Sequence, residues 1–207
     1  MGQIIKFPAQ AARLGYRRVK NRRKSVENPD QLDLFPAPRA QILYFSQELA
    51  PFEQALLWDE QGDARAIELY ARAIEAQDCV ADAYCNLGII HSQKGDTAKA
   101  FDCFTTSLKD DPRHLEAHYN LGNLYFELND FRLAQTHYEL AAAIDPSFAN
   151  LYFNLGLVRA INNDLLAAIS ALTKYQELVP ADEAQNASEL LGNLKGLLAA
   201  NRNNVLS

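Results

Sequence analysis

Apolar residues along this chain recur at the three- and four-residue steps of a helix, and polar breaks interrupt them at regular places. Between Ala81 and Lys94, the residues Tyr84, Leu87, Gly88 and His91 fall on one helical face. Between Thr97 and Pro112, Ala100, Phe101, Phe104, Ser107 and Leu108 do the same. Two such helices joined by a short turn make a hairpin, and the hairpin repeats. Ala66, Ala100, Ala134 and Ala168 stand 34 residues apart, as do Tyr70, Phe104, Tyr138 and Leu172. Leu87-Gly88, Leu121-Gly122 and Leu155-Gly156 keep the same step, and Pro112, Pro146 and Pro180 close the units. A fixed period of this length predicts stacked helical units rather than one closed core. It also turns the expected function from catalysis towards presenting a binding surface.

The breaks have their own chemistry. Gly62-Asp63, Gly95-Asp96, Asn129-Asp130 and Asn163-Asp164 separate the two helices of each unit. Gly and Asn accept the left-handed conformation that ends a helix. The Asp that follows can cap the amides opening the next one, worth about 1 kcal/mol. Asp111-Pro112 and Asp145-Pro146 lead into the following unit, since proline suits a helix start and not its interior. Gly88, Gly122 and Gly156 each lower helix propensity by about 1 kcal/mol relative to Ala. Their recurrence predicts a close approach between paired helices, with the Ala series at 66, 100, 134 and 168 opposite. On that placement Ala134→Leu overpacks the contact.

These residues resemble the tetratricopeptide repeat, whose pattern is W-x2-L-G-x2-Y, then A-x3-F, A and P. The unit 115–148 carries Leu121, Gly122, Tyr125, Ala134, Tyr138, Ala141 and Pro146, and departs at His118, a packing slot where a large aromatic is usual. The unit 149–182 carries Tyr152, Leu155, Gly156, Ala168, Leu172 and Pro180, and departs at Arg159 and at Tyr175. The unit 81–114 is the clearest. The stretch 47–80 is degenerate, matching through Ala66, Tyr70 and Ala73 in its second helix and mainly Ala55 and Trp58 in its first. The resemblance implies an all-α, right-handed α-solenoid over residues 46–182. Ala184, Ala187, Leu190, Leu191, Leu194 and Leu198 recur beyond it at helical spacing, which predicts a closing helix over 183–200 and a frayed tail over 201–207.

The resemblance also implies a binding face, because first helices line a concave groove in this family. Asn86, Asn120 and Asn154 lie one period apart there. In relatives with such an asparagine ladder, the amides hold the backbone of an extended peptide; an amide both donates and accepts, whatever the peptide's sequence. The alternative is that these Asn residues serve hairpin packing. Cys85, Tyr119 and Phe153 precede them, and Ile89, Asn123 and Leu157 follow one turn later. Asp82, Glu116 and Glu127 add negative charge, and Lys and Arg are missing from these places. A clamp of basic residues for a peptide's free C-terminus is therefore not expected. An extended partner with apolar and basic residues suits the groove better.

Charge divides the chain. Net charge is −6, yet residues 1–45 hold nine Lys/Arg against three Asp/Glu, and the remainder eleven against 23. The basic arm is densest at Arg17, Arg18, Lys20, Arg22, Arg23 and Lys24. Such a run can neutralise phosphates and bind nucleic acid, solubilise the chain as a disordered tail, or dock on the acidic body. Gln31, Leu32, Asp33, Leu34 and Phe35 resemble the pentapeptide by which bacterial replication and repair proteins dock on the sliding clamp. Alternatively Leu32, Leu34 and Phe35 pack on the first hairpin. The arm and this motif together define a second functional reading, a DNA-associated accessory protein.

The remaining chemistry is sparse. Cys79, Cys85 and Cys103 form no CxxC, which fits a reducing cytoplasm. No stretch nears the ~18 apolar residues of a membrane span. No phosphate loop, G-x-S-x-G nucleophile or third ligand near His114 and His118 is present. No enzyme activity, metal or cofactor is expected.

Overall fold

The computed structural model describes residues 49–206, with the side chains at 186 and 202–206 left aside. The basic arm and the Gln31–Phe35 motif lie outside the described residues. Within them the chain is helical from end to end: α1 Pro51–Glu60, α2 Arg65–Glu75, α3 Val80–Gln93, α4 Thr97–Asp110, α5 Leu115–Glu127, α6 Phe131–Ile144, α7 Ala149–Ile161, α8 Leu165–Leu178 and α9 Gln185–Leu206. The helices pair as α1/α2, α3/α4, α5/α6 and α7/α8, and each second helix packs on the first helix of the next pair. This is the stacked solenoid that the period implies.

The hairpin turns form as their residues require. Gly62, Gly95, Asn129 and Asn163 all take positive φ, between 60° and 78°. At each turn the following Asp N–H returns to a carbonyl five residues back: Asp63 to Trp58, Asp96 to His91, Asp130 to Tyr125 and Asp164 to Arg159. That bond satisfies a carbonyl the helix end leaves without a partner. The Asp side chains divide in their roles. Asp130 and Asp164 accept from Leu133 and Ala167 N–H groups as N-caps. Asp96 instead holds Lys99 at 2.8 Å, and Asp63 accepts from the Arg65 backbone N–H at 2.9 Å and also pairs with its guanidinium. The junction before α3 lacks Asp-Pro and uses two left-handed residues, Gln77 and Cys79.

The recurrent glycines do allow close approach, but to a different partner from the one expected. A Cβ on Gly88 would lie 2.6 Å from the Phe104 ring, one on Gly122 2.5 Å from the Tyr138 ring, and one on Gly156 2.6 Å from Leu172. The side chain of the second helix four residues after the Ala, Phe104, Tyr138 or Leu172, comes nearest in the glycine notch, and the Ala168 carbonyl also stands 3.4 Å from a Cβ on Gly156. The Ala residues are small for the burial at their own positions: Ala66, Ala100, Ala134 and Ala168 are at most 1% exposed.

α9 follows α8 and shares a cluster with the last hairpin, joining Ala187, Leu190, Leu191 and Leu194 to Leu157, Leu165 and Leu172. Gln176 Nε2 donates to Ser188 Oγ at 2.7 Å across this contact. The segment after residue 200, expected to fray, continues as helix to Leu206. No proline or glycine after Gly196 ends it sooner.

Candidate functional site

The first helices α3, α5 and α7 reach one another directly, and their linking side chains define one inner face. His114 is the N-cap of α5, and its Nδ1 accepts from Ala117 N–H at 3.1 Å. That leaves the proton on Nε2, which meets Asp82 Oδ1 of α3 at 3.2 Å. Asn120 Nδ2 donates to the Cys85 thiol of α3 at 3.7 Å. Asn154 Nδ2 donates to Tyr119 Oη at 3.2 Å and Asn123 Oδ1 at 3.0 Å, both on α5. Asn86 Nδ2 donates to Tyr70 Oη at 3.0 Å, and Tyr70 in turn donates to Asp59.

The three ladder asparagines are thus equivalent in register: each donates its amide to the preceding hairpin. They are also buried, Asn120 completely so. The packing alternative posed for them describes these donor bonds. It does not account for the oxygens of two of them, Asn120 and Asn154, or for the nitrogen of the neighbouring Asn123. Asn120 Oδ1, Asn154 Oδ1 and Asn123 Nδ2 are buried with no hydrogen-bond partner. Asn123 receives Tyr138 Oη at 2.7 Å on its oxygen, while its nitrogen stays unmatched. Burial pushes the Tyr119 phenol up to about 12 and the Tyr138 phenol well above its usual range, so both remain neutral hydroxyl groups.

Glu116 is the second unsatisfied group. Its side chain is 7% exposed, and Oε2 lies 3.4 Å from His114 Nδ1. That nitrogen already uses its lone pair on Ala117 N–H, so it offers Glu116 no proton while the ring is neutral. Oε2 has no hydrogen-bond donor. Asp82, Cys85, His114, Glu116 and Asn120 therefore converge between α3 and α5. Burial pushes the Cys85 thiol far up, helped by the Glu116 and Asp82 carboxylates, which keeps it protonated.

Charge is partitioned between the two helix sets. The first helices α1, α3, α5 and α7 hold six Asp/Glu and one basic residue, Arg159. The second helices α2, α4, α6 and α8 hold six of each sign. Arg159 is directed away, pairing with Glu139 of α6 at 3.0 Å and donating to Ala167 O of α8. The first helices therefore carry the net negative charge of the repeats' helices. The apolar part of the inner face includes Phe153, half-buried with its ring 5.3 Å from Tyr175, together with the buried Ile89 and Leu157. Tyr175, large where the repeat pattern wants a small residue, thus forms an aromatic pair beside α9.

A second histidine contact lies between α5 and α6. His118 Nδ1 and His137 Nδ1 are 3.1 Å apart, and His118 Nε2 reaches Pro112 O at 3.2 Å. Tyr125 stacks on the His137 ring at 5.5 Å. Among the described residues no group of three or more His, Cys, Asp or Glu is placed to hold a metal ion. None of the described helices is long and apolar enough to cross a membrane.

Sequence reasoning missed two participants. His114 entered the sequence analysis only beside His118 as a metal candidate, although its place three residues before the Ala117 amide made it a capping candidate. Tyr138 stood in the sequence only as a member of the 34-residue series, and its hydroxyl donates to Asn123 Oδ1.

Three family models described as TPR or tetratricopeptide repeats match residues 81–114, 103–136 and 122–161. Solved structures are similar as well. The first TPR of Spaghetti (RPAP3), bound to the HSP90 peptide SRMEEVD, is 26% identical with a TM-score of 0.54, covering 57% of this chain and 93% of that one. The first TPR domain of human RPAP3 is 26% identical with a TM-score of 0.53, covering 59% and 95%. MamA is 24% identical with a TM-score of 0.59, covering 71% and 81%, a likeness of fold alone. No curated protein matches.

Proposed function

The chain belongs to the tetratricopeptide repeat family, and we propose that it is a non-enzymatic adaptor whose inner face binds an extended segment of a partner protein. The observation that carries this reading is the row of unmatched amide atoms, Asn120 Oδ1, Asn123 Nδ2 and Asn154 Oδ1. A buried polar atom without a partner costs about 1–3 kcal/mol. A peptide backbone supplies both the donor and the acceptor that these amides lack, once the side chains covering them shift. A similar solenoid, the first TPR of Spaghetti (RPAP3), is bound to a peptide, SRMEEVD. That peptide ends in Glu-Glu-Val-Asp, whereas the inner helices here are acidic. The fitting ligand for this chain has the opposite character: basic, with apolar residues for the Phe153 side of the face. The free thiols Cys85 and Cys103 suit a reducing compartment such as the cytoplasm.

The test is selection from a displayed random-peptide library on the full chain and on an Asn120→Ala/Asn154→Ala variant. The reading expects Lys/Arg-containing peptides with apolar residues, and their loss from the variant. Peptides that bind both proteins equally would place binding elsewhere.

A further inference from the structure

We propose that the acidic seat formed by Asp82, His114 and Glu116 is occupied, in the free protein, by the chain's own basic segment 17–24. The inference rests on the groove reading above and names a first occupant for it. Three observations point the same way. The first is the unsatisfied carboxylate: Glu116 Oε2 is buried without a donor, and its neighbour His114 turns a lone pair towards it. A guanidinium or ammonium group supplies the missing donors and the opposite charge together. Asp82, still 22% exposed, stands on the other side of His114 and gives the cation a second oxygen at the rim.

The second observation is where the chain's positive charge lies. Among the described first helices the lone base, Arg159, is already engaged with Glu139. Arg17, Arg18, Lys20, Arg22, Arg23 and Lys24 form the densest basic run of the chain, with no acid between them. Of the two helix sets, only the inner one carries a net charge to attract it.

The third is reach. The 24 residues between Lys24 and Leu49 span up to about 80 Å when extended. Helices of this length are about 20 Å long and pack about 10 Å apart, so α3 and α5 lie well within that distance. A tethered segment meets its site at an effective concentration of the millimolar order, so weak individual pairs suffice to hold it. An external peptide must displace it. The arm thereby sets a threshold that only stronger basic ligands pass, and salt lowers that threshold by screening the docked pairs.

Limited trypsin digestion of the full chain tests this, reading cleavage after residues 17–24 by mass spectrometry. A free peptide of residues 13–26 in the same tube serves as reference for the protease. Relative to that reference, the arm is expected to be cut several-fold more slowly at low salt than at high salt. The near-isosteric Asp82→Asn/Glu116→Gln variant is expected to lose this protection while keeping its urea midpoint. Equal cleavage at both salt levels overturns the proposal. So does protection that persists in the Asp82→Asn/Glu116→Gln variant, or that appears only when DNA is added. If that variant unfolds, excess free peptide 17–24 added to the native chain decides: it should deprotect the arm, and unchanged cleavage overturns the proposal. A full chain with Arg17, Arg18, Arg22 and Arg23 changed to Gln separates the two readings. If it still selects basic peptides while arm protection fails in the native chain, the groove stands and the arm does not fill it. If it selects none, the groove reading falls by itself.

Discussion

Gly122 and Gly192 are both helical glycines in opposite surroundings. A Cβ on Gly122 would come within 2.5 Å of the Tyr138 ring, and one on Gly192 meets nothing within 4 Å. Gly122→Ala should therefore lower stability by about 1–3 kcal/mol through overpacking. Gly192→Ala should raise it by about 0.5–1 kcal/mol through helix propensity. Urea midpoints of the two variants check the contrast, and a destabilised Gly192→Ala would refute the open surroundings. Legibility at this scale was uneven. The 34-residue step identified which glycines matter, but spacing alone could not say whether alanine or the ring four residues later filled the notch. Burial of the ladder asparagines was hidden for a similar reason. Sequence marks an amide on the inner face without saying which half of it a neighbour has taken.

At the scale of the helix, the turn chemistry was the most readable part of the chain. Gly or Asn followed by Asp located four left-handed turns, and each formed. The caps were less uniform, because Asp96 found the Lys99 cation instead of an amide, and Asp63 holds both the amide and the guanidinium of Arg65. Asp164→Ala should cost about 1 kcal/mol through loss of the bond to Ala167 N–H, and Asp96→Ala clearly less. Thermal melts of the pair check this; equal losses would mean that the side-chain cap contributes nothing. The pairing of α5 with α6 carries a pH signature. Burial, with the nearby His118 charge, holds His137 down at about 4 against its ordinary 6.5. Burial lowers His118 too, although the Pro112 carbonyl and, less, Asp111 oppose the shift. The fold thus favours neutral rings. Above about 6.5 this contribution is complete, and it is lost as pH falls towards 4, because the unfolded chain takes up protons that the fold refuses. The urea midpoint should fall between pH 7 and pH 5, and His137→Gln should flatten that dependence. An unchanged slope in the variant would assign the acid sensitivity to other groups.

Across the whole molecule, repetition made the architecture legible and left the partner obscure. A solenoid's fold is written once per unit, so one well-formed hairpin such as 81–114 suffices to recognise it. The units differ from one another at Cys85, Tyr119 and Phe153 and at Asp82, Glu116 and Asn150, and the proposed groove takes its partner preference from those differences. Those differences become interpretable only when neighbouring hairpins are stacked. Stacking places His114 of one unit between the acids of two, and it brings Asn154 onto Tyr119 and Asn123. It also reveals that six acids and a single base occupy the inner helices, a bias diluted in the net charge of −6. Replacing Asp82 and Glu116 by their amides should therefore weaken basic ligands and reduce the salt dependence of their binding, measured by fluorescence anisotropy at two ionic strengths. An unchanged salt dependence would contradict the charge assignment.

The central claim is that the first helices form the working surface. Amide hydrogen exchange of the full chain, with and without a selected basic peptide, tests it most directly. The account predicts added protection on α3, α5 and α7, centred on Asn120 and Asn154, with α4, α6 and α8 unchanged. Protection confined to the second helices would contradict it.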